Sequence, residues 1–235
     1  MNNRIEGLDI LRGFAIVLMI IFHLSYDLNY FGFVDINITS DPFWLNFRSF
    51  IVTLFLIVVG ISLALTHKNG IKWQKIKKRV VVLFLASSGI TLITYIIFPK
   101  KWVYFGILHS ILILSIIALP FINRGYLSLF LAVIIIVGYN FFNMNMHPLF
   151  NILKNPLHLP AHTVDLAPII PWFSVVLIGV AIVAFNWHKK IFRPNIFNSI
   201  TKFHTTLKFL GRHALLIYLI HQPILFGIVW LIIKF

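Results

Sequence analysis

Long apolar runs alternate with short polar segments along almost the whole chain. Seven runs stand out: Leu8 to Leu28, Trp44 to Thr66, Val80 to Phe98, Phe105 to Ile122, Tyr126 to Asn143, Pro168 to Trp187 and His213 to Phe235. About 20 consecutive apolar residues cross a bilayer as a helix, so the pattern predicts an all-α, polytopic membrane helix bundle with about seven transmembrane helices. The fourth and fifth runs are separated only by Asn123, Arg124 and Gly125, which predicts a tight turn between antiparallel helices. The first run is long and no small-residue cleavage site follows it, so it reads as a retained membrane helix rather than a cleaved signal.

Composition sharpens this picture. The 235 residues are 60% hydrophobic and 11% charged, with a mean hydropathy of +0.94, whereas a soluble domain keeps about a quarter of its residues charged. Prolines and glycines are scattered, and no linker, low-complexity segment or repeat is evident, so one transmembrane domain over 1–235 is expected. The absence of cysteine excludes disulfides, thiolate metal sites and a cysteine nucleophile.

A net charge of +14 would point to nucleic acid in a soluble protein. Here the placement of the basic residues explains it without a nucleic-acid partner, because short cytoplasmic loops collect lysine and arginine. With the N-terminus in the cytoplasm, that side holds Arg4, Arg12, Lys68, Lys72, Lys75, Lys77, Lys78, Arg79, Arg124, Lys189, Lys190, Arg193, Lys202, Lys208 and Arg212. The outer side holds only Arg48, Lys100, Lys101, Lys154 and Lys234. This bias predicts an integral plasma (inner) membrane protein with a cytoplasmic N-terminus and an outer C-terminus.

An ionisable residue inside a membrane span costs a few kcal/mol and usually faces the bundle interior. The first run carries Asp9, Arg12, His23 and Asp27. At ~100° per residue, Arg12, His23 and Asp27 fall at roughly −60°, −40° and 0° from Asp9, with Gly13 beside them. One face therefore carries all four. Arg12 and His23 are separated by about 16 Å along the axis, which places Arg12 near the cytoplasmic face and His23 in the outer third. Asp9 and Arg12 read either as an interfacial ion pair or as part of a basic mouth. His23 and Asp27 read either as a structural i, i+4 hydrogen bond or as a base oriented by a carboxylate.

Other runs bring candidates to similar depths. Arg48 and His109 each lie about one turn in from the outer side, so Asp27, His23, Arg48 and His109 are expected to converge on one outward-facing cavity, with Arg48 available to a developing oxyanion. Tyr218, His221 and Gln222 share roughly 100° of the last helix, beside Pro223, which should kink it. They serve either interhelical hydrogen bonding or substrate binding. Arg212, His213, Lys78 and Arg79 join Arg12 and Asp9 as candidates for a phosphate-binding mouth. His147, His158 and His162 with Asp165 match no standard metal spacing, so no metal is expected.

The stretches RIEGLDILRGFAIVLMIIFHLSYDL at 4–28, LFLIVVGISLAL at 54–65, WVYFGILHSI at 102–111, PIIPWFSVVLIGV at 168–180 and LGRHALLIYLIHQPIL at 210–225 together resemble the catalytic-domain family of heparan-α-glucosaminide N-acetyltransferase, particularly its short bacterial members. The LDxLRG opening followed by His23 is the most specific part. The Arg12-x10-His23 spacing also looks like the arginine–histidine signature of membrane acyltransferases that acetylate sugars at the cell surface. The resemblance implies a transferase moving an acyl, expected to be acetyl, group from cytoplasmic acetyl-CoA to an extracytoplasmic sugar or glycan. It puts His23 in the catalytic place, as base or acyl carrier. Asp27, His109 and Arg48 accompany it as catalytic candidates. Asp9, Arg12, Arg212, His213, Lys78 and Arg79 are the acyl-CoA candidates, and Tyr218, His221, Gln222 and Trp172 the substrate candidates. Lysosomal members carry their working histidine in the loop after the first helix; this chain has none between Leu28 and Phe47, so His23 or His109 must substitute. The expected partners are acyl-CoA, the acceptor glycan and the lipid bilayer, and the arrangement admits a homodimer. The rival class is a small-solute or proton-coupled transporter that uses the same buried line without chemistry, and a third is a scaffold subunit with a purely structural polar stripe.

Overall fold

The computed structural model describes residues 5–192 and 202–234. Arg4 and Arg193, both counted on the cytoplasmic side, lie outside the described residues. The helices in chain order are α1 (Glu6–Tyr30), α2 (Pro42–His67), α3 (Trp73–Ile97), α4 (Ile107–Ile117), α5 (Gly125–Phe141), α6 (His147–Lys154), α7 (Ile169–Ala184), α8 (His188–Ile191), α9 (Lys202–Arg212) and α10 (Ala214–Lys234). A 3₁₀ turn over Leu119–Phe121 follows α4. Among the described residues there is no β-strand, only an isolated bridge between Phe105 and Leu166.

All seven apolar runs are helical, but they differ in reach. Four helices, α1, α2, α3 and α10, are long and apolar enough to cross a membrane, while α4, α5 and α7 are shorter apolar helices. The 11 residues of α4 cover about 16 Å at 1.5 Å each, about half of a hydrocarbon slab of about 30 Å. Length therefore supports four of the seven expected crossings. The environment is not in doubt: on α3, Phe84, Leu85, Leu92 and Ile96 are all more than half exposed, and apolar surface of that extent is stable only against lipid or protein.

The chain forms two compact units. The first comprises residues 1–55 and 189–235 and brings together α1, the first half of α2, α9 and α10. The buried face of α1 includes Leu8, Asp9, Gly13, Ile16, Met19 and Asp27. Ile16, Met19 and Ile51 form a core against which Phe22, Phe47, Leu210, Ile217 and Tyr218 pack. Two glycines set the approach of α9 to α1. A Cβ on Gly13 would overlap the carbonyl of Leu207, and one on Gly211 would overlap the carbonyl of Asp9. The two backbones touch directly there, as small residues permit between membrane helices. At its other end α1 stops in a turn through Gly32, whose φ of +80° suits glycine. The N–H of Phe33 returns to the carbonyl of Leu28 at 2.9 Å.

The second unit comprises residues 56–188. Within it α5 packs along α7, and α4 packs against both α3 and α7. Gly60 and Gly179 repeat the glycine device, since an added Cβ on either would meet the opposing helix backbone. The turns also sort into two sets. At one end Asn123 Nδ2 donates to the Lys68 carbonyl at 2.8 Å and Lys68 Nζ to Asn186 Oδ1 at 2.9 Å. At the other, Thr163 Oγ1 donates to the Trp102 carbonyl at 2.9 Å and the Val164 N–H to the Lys101 carbonyl at 3.1 Å. The turns of this unit therefore gather at two opposite ends.

Candidate functional site

In the first unit the polar face of α1 divides into two clusters, each completed by the C-terminal helices. The first surrounds Asp9, whose side chain is 3% exposed. Arg12 Nη1 donates to Asp9 Oδ1 at 3.1 Å and lies 3.4 Å from the Gly211 carbonyl. Arg212 Nε stands 3.7 Å from Asp9 Oδ2. Lys208 Nζ pairs with Glu6 Oε2 at 2.5 Å just outside. One buried carboxylate therefore holds two guanidiniums, one from α1 and one from the end of α9. Arg212 keeps half of its side chain exposed, and His213 beside it is exposed with its ring against Phe209.

The second cluster lies between α1 and α10. Gln222 Nε2 donates to Asp27 Oδ1 at 2.8 Å, and the rings of His23 and His221 approach to 4.8 Å between centroids. One helical turn separates His23 from Asp27 on α1, and His221 adjoins Gln222 on α10, so the four side chains form two facing pairs. The ring of Tyr218 lies 5.6 Å from that of His221. Asp27 is fully buried and His221 is 7% exposed. Among the described residues, Asp27 Oδ2, His221 Nε2 and Gln222 Oε1 have no hydrogen-bond partner. A buried polar atom left unpaired costs about 1–3 kcal/mol. A carboxylate oxygen, an amide oxygen and a ring nitrogen lie together here, each able to accept from an N–H or O–H group.

This geometry corrects two expectations. Asp27 does not orient His23 through an i, i+4 hydrogen bond: its carboxylate is turned to Gln222 on α10, while His23 makes ring contacts with Phe22 and His221. Nor does Arg48 join them. It is exposed on α2 and has no hydrogen bond or ion pair among the described residues, because the face of α2 packed on α1 carries Phe47 and Ile51 instead.

The remaining candidates belong to the second unit. His109 is the third residue of α4, where a helix start leaves N–H groups unsatisfied. Its Nδ1 accepts the Gly106 N–H at 3.2 Å, so its hydrogen sits on Nε2, which lies 3.2 Å from Thr91 Oγ1. That hydroxyl donates in turn to the Val103 carbonyl at 2.8 Å. Both nitrogens are therefore engaged, Nδ1 at the start of α4 and Nε2 with Thr91 on α3. Asp165 Oδ2 completes the cap by accepting the Ile107 N–H at 2.9 Å, so this loop acid serves a helix terminus. Burial raises the nearby Tyr104 phenol above its ordinary pKa. Replacing His109 with alanine is expected to lower the melting temperature of the purified chain by a few degrees, about 1–2 kcal/mol for a lost cap; an unaltered melting temperature sinks this assignment.

Arg79 Nε donates to Ser115 Oγ at 3.1 Å, Lys78 is exposed, and Trp172 is half-buried near the start of α7. Among the described residues no group of three histidine, cysteine or acidic side chains could hold a metal. What sequence reasoning missed is the pairing itself: Gly13 with α9, Gly211 with Asp9, Gln222 with Asp27 and His221 with His23. The glycine in LGR at 210–212 and the adjacent His221 and Gln222 were the available signals.

The family model for heparan-alpha-glucosaminide N-acetyltransferase, catalytic, matches residues 4–223. No curated protein and no solved structure matches the chain. The matched span takes in both polar clusters, from Asp9 through Gln222, and nearly the whole of the helical membrane architecture. The chain therefore belongs to the heparan-α-glucosaminide N-acetyltransferase catalytic family, a membrane acetyltransferase type.

Proposed function

We propose that this chain transfers an acyl group, acetyl in the first instance, from cytoplasmic acyl-CoA to a hydroxyl or amino group of an extracytoplasmic sugar or glycan. The observation that carries this reading is the buried cluster of His23, Asp27, His221 and Gln222 with its three unsatisfied acceptor atoms. Such a site suits an acceptor rich in O–H or N–H groups and offers imidazoles for its proton. In this reading the N-terminus is cytoplasmic and all seven apolar helices lie in the plasma (inner) membrane.

The other cluster suits the acyl donor, which supplies the thioester. Arg212 is anchored by Asp9 yet half-exposed, so its outward nitrogens, with Arg12 and His213, can meet phosphates. About 16 Å along α1 separates Arg12 from His23, a span that an extended pantetheine arm fits. The acceptor named in the family description is an α-glucosaminide, so the amino group of an amino sugar is the first acceptor to test.

The experiment uses the full chain in proteoliposomes with radiolabelled acetyl-CoA on one side and methyl α-D-glucosaminide on the other. Label is expected on the sugar only when acetyl-CoA faces the Arg12 and Arg212 end. His23→Ala is expected to lower the turnover at least tenfold. Absence of saturable acetyl-CoA binding would overturn the reading, and so would absence of label on the sugar with acetyl-CoA on either side.

A further inference from the structure

We infer that His221, rather than His23, is the general base of this transfer; the inference rests on the acyl-transfer reading above. The two imidazoles are neighbours, but only one is set in a working orientation. His221 Nδ1 lies 2.7 Å from the Tyr218 carbonyl. A carbonyl can only accept, so the ring hydrogen is on Nδ1 and Nε2 carries the lone pair. That nitrogen is buried and unpartnered among the described residues. His23 has ring contacts with Phe22 and His221 and no hydrogen bond among the described residues, so nothing selects its tautomer.

A base needs a free lone pair and an orienting partner on the other nitrogen, and His221 has both. Tyr218 is three residues before it on α10, so the helix itself supplies the orienting carbonyl. The neighbouring groups suit the product of proton removal. Asp27 is held by Gln222, the residue next to His221 on α10, so a carboxyl group adjoins the pair in which the transferred proton is taken up.

The step balances as follows. His221 Nε2 takes the proton from the acceptor oxygen or nitrogen as that atom forms a bond to the thioester carbonyl carbon. When the tetrahedral intermediate collapses, the carbon–sulfur bond breaks and the proton passes from His221 to the departing thiolate. The acceptor leaves acylated, the donor leaves as free thiol, and His221 returns to its starting tautomer. His23 then serves as a positioning residue, its ring tilted against that of the base.

The test compares His221→Gln and His23→Gln in the full chain, in nanodiscs, with acetyl-CoA and methyl α-D-glucosaminide as probes. His221→Gln is expected to lower kcat by about 100-fold or more, the range of general-base contributions, with acetyl-CoA affinity within threefold of the unmodified chain. His23→Gln is expected to lose roughly tenfold, the smaller effect of a displaced neighbour. The inference is overturned by His221→Gln retaining more activity than His23→Gln. A second measurement needs no variant: ¹⁵N spectra of histidine-labelled, unmodified chain are expected to show a histidine protonated on Nδ1 and bare on Nε2. A spectrum in which every histidine carries its proton on Nε2 also overturns it. No transfer by the unmodified chain overturns the acyl-transfer reading and the base together, whereas active transfer by both the unmodified chain and His221→Gln overturns the base alone.

Discussion

Gly211→Val is expected to unfold the contact between α1 and α9 and to cost about 3 kcal/mol or more, at the upper end for overpacking. Two conditions set that size. The obstacle is the backbone carbonyl of Asp9 rather than a side chain that could rotate away, and Gly13 of α1 also lies within reach of the added carbon. Relief requires the two helices to separate, and separation withdraws Arg12 from the Gly211 carbonyl and Arg212 from Asp9. Thermal unfolding in detergent should show a loss of about 6–12 °C, using about 2–4 °C per kcal/mol for a chain of this size. Gly89→Val is the control, because an added carbon there meets nothing. Equal melting temperatures for the two variants would contradict the direct backbone contact.

The second large effect is expected from Asp9→Ala. The carboxylate is buried between two guanidiniums, and removing it takes away the negative charge that holds the two like charges together. Breaking a buried ion pair in this way costs about 3–5 kcal/mol; exposure of Arg212 places the expected loss near the lower figure. Asp9→Asn, which keeps one acceptor oxygen for Arg12, should lose roughly half as much. The decisive comparison is the double variant Asp9→Ala with Arg212→Ala, which should be more stable than the sum of the two single losses implies, because the second change removes a repulsion created by the first. Strict additivity in the melting data would show that the three side chains do not act as one node.

Much of this was legible from residue spacing. The runs at Leu8 to Leu28 and His213 to Phe235 became α1 and α10 within a few residues, because a bilayer-crossing helix must be apolar over its length. The arithmetic that put Asp9, Arg12, His23 and Asp27 on one face was sound, since each meets α9 or α10. Helix ends were less legible. Hydropathy reports the depth of the membrane, while helical hydrogen bonding continues beyond it, so α3 begins at Trp73 and carries Lys75, Lys77, Lys78 and Arg79 ahead of its apolar stretch. In the run from Phe105 to Ile122, Pro120 accompanies a change to 3₁₀ geometry after Ile117. The helix α9 was missed because it is amphipathic and too polar for a membrane-span pattern, although Leu207 and Gly211 recur at helical spacing on its α1 side.

The site was half legible. Which face of α1 is polar follows from one helix alone. Which partner each residue takes depends on the register between α1 and α10, and no single-helix rule supplies that. His109 shows the same limit in the other unit: a histidine near a helix start reads equally well as a base or as a cap, and only the positions of Gly106 and Thr91 decide between them.

The bond between Asp27 and Gln222 joins residues 195 positions apart. During synthesis α1 therefore enters the bilayer long before its partners exist. Until α10 emerges, His23 and Asp27 lack the groups that later accompany them, and lipid offers none in their place. The nascent first helix is consequently a poor lodger in the membrane, dependent on the insertion machinery or on water at its margin for as long as the ribosome takes to reach the last span. A chain that stops short of His221 would carry that unsatisfied face permanently.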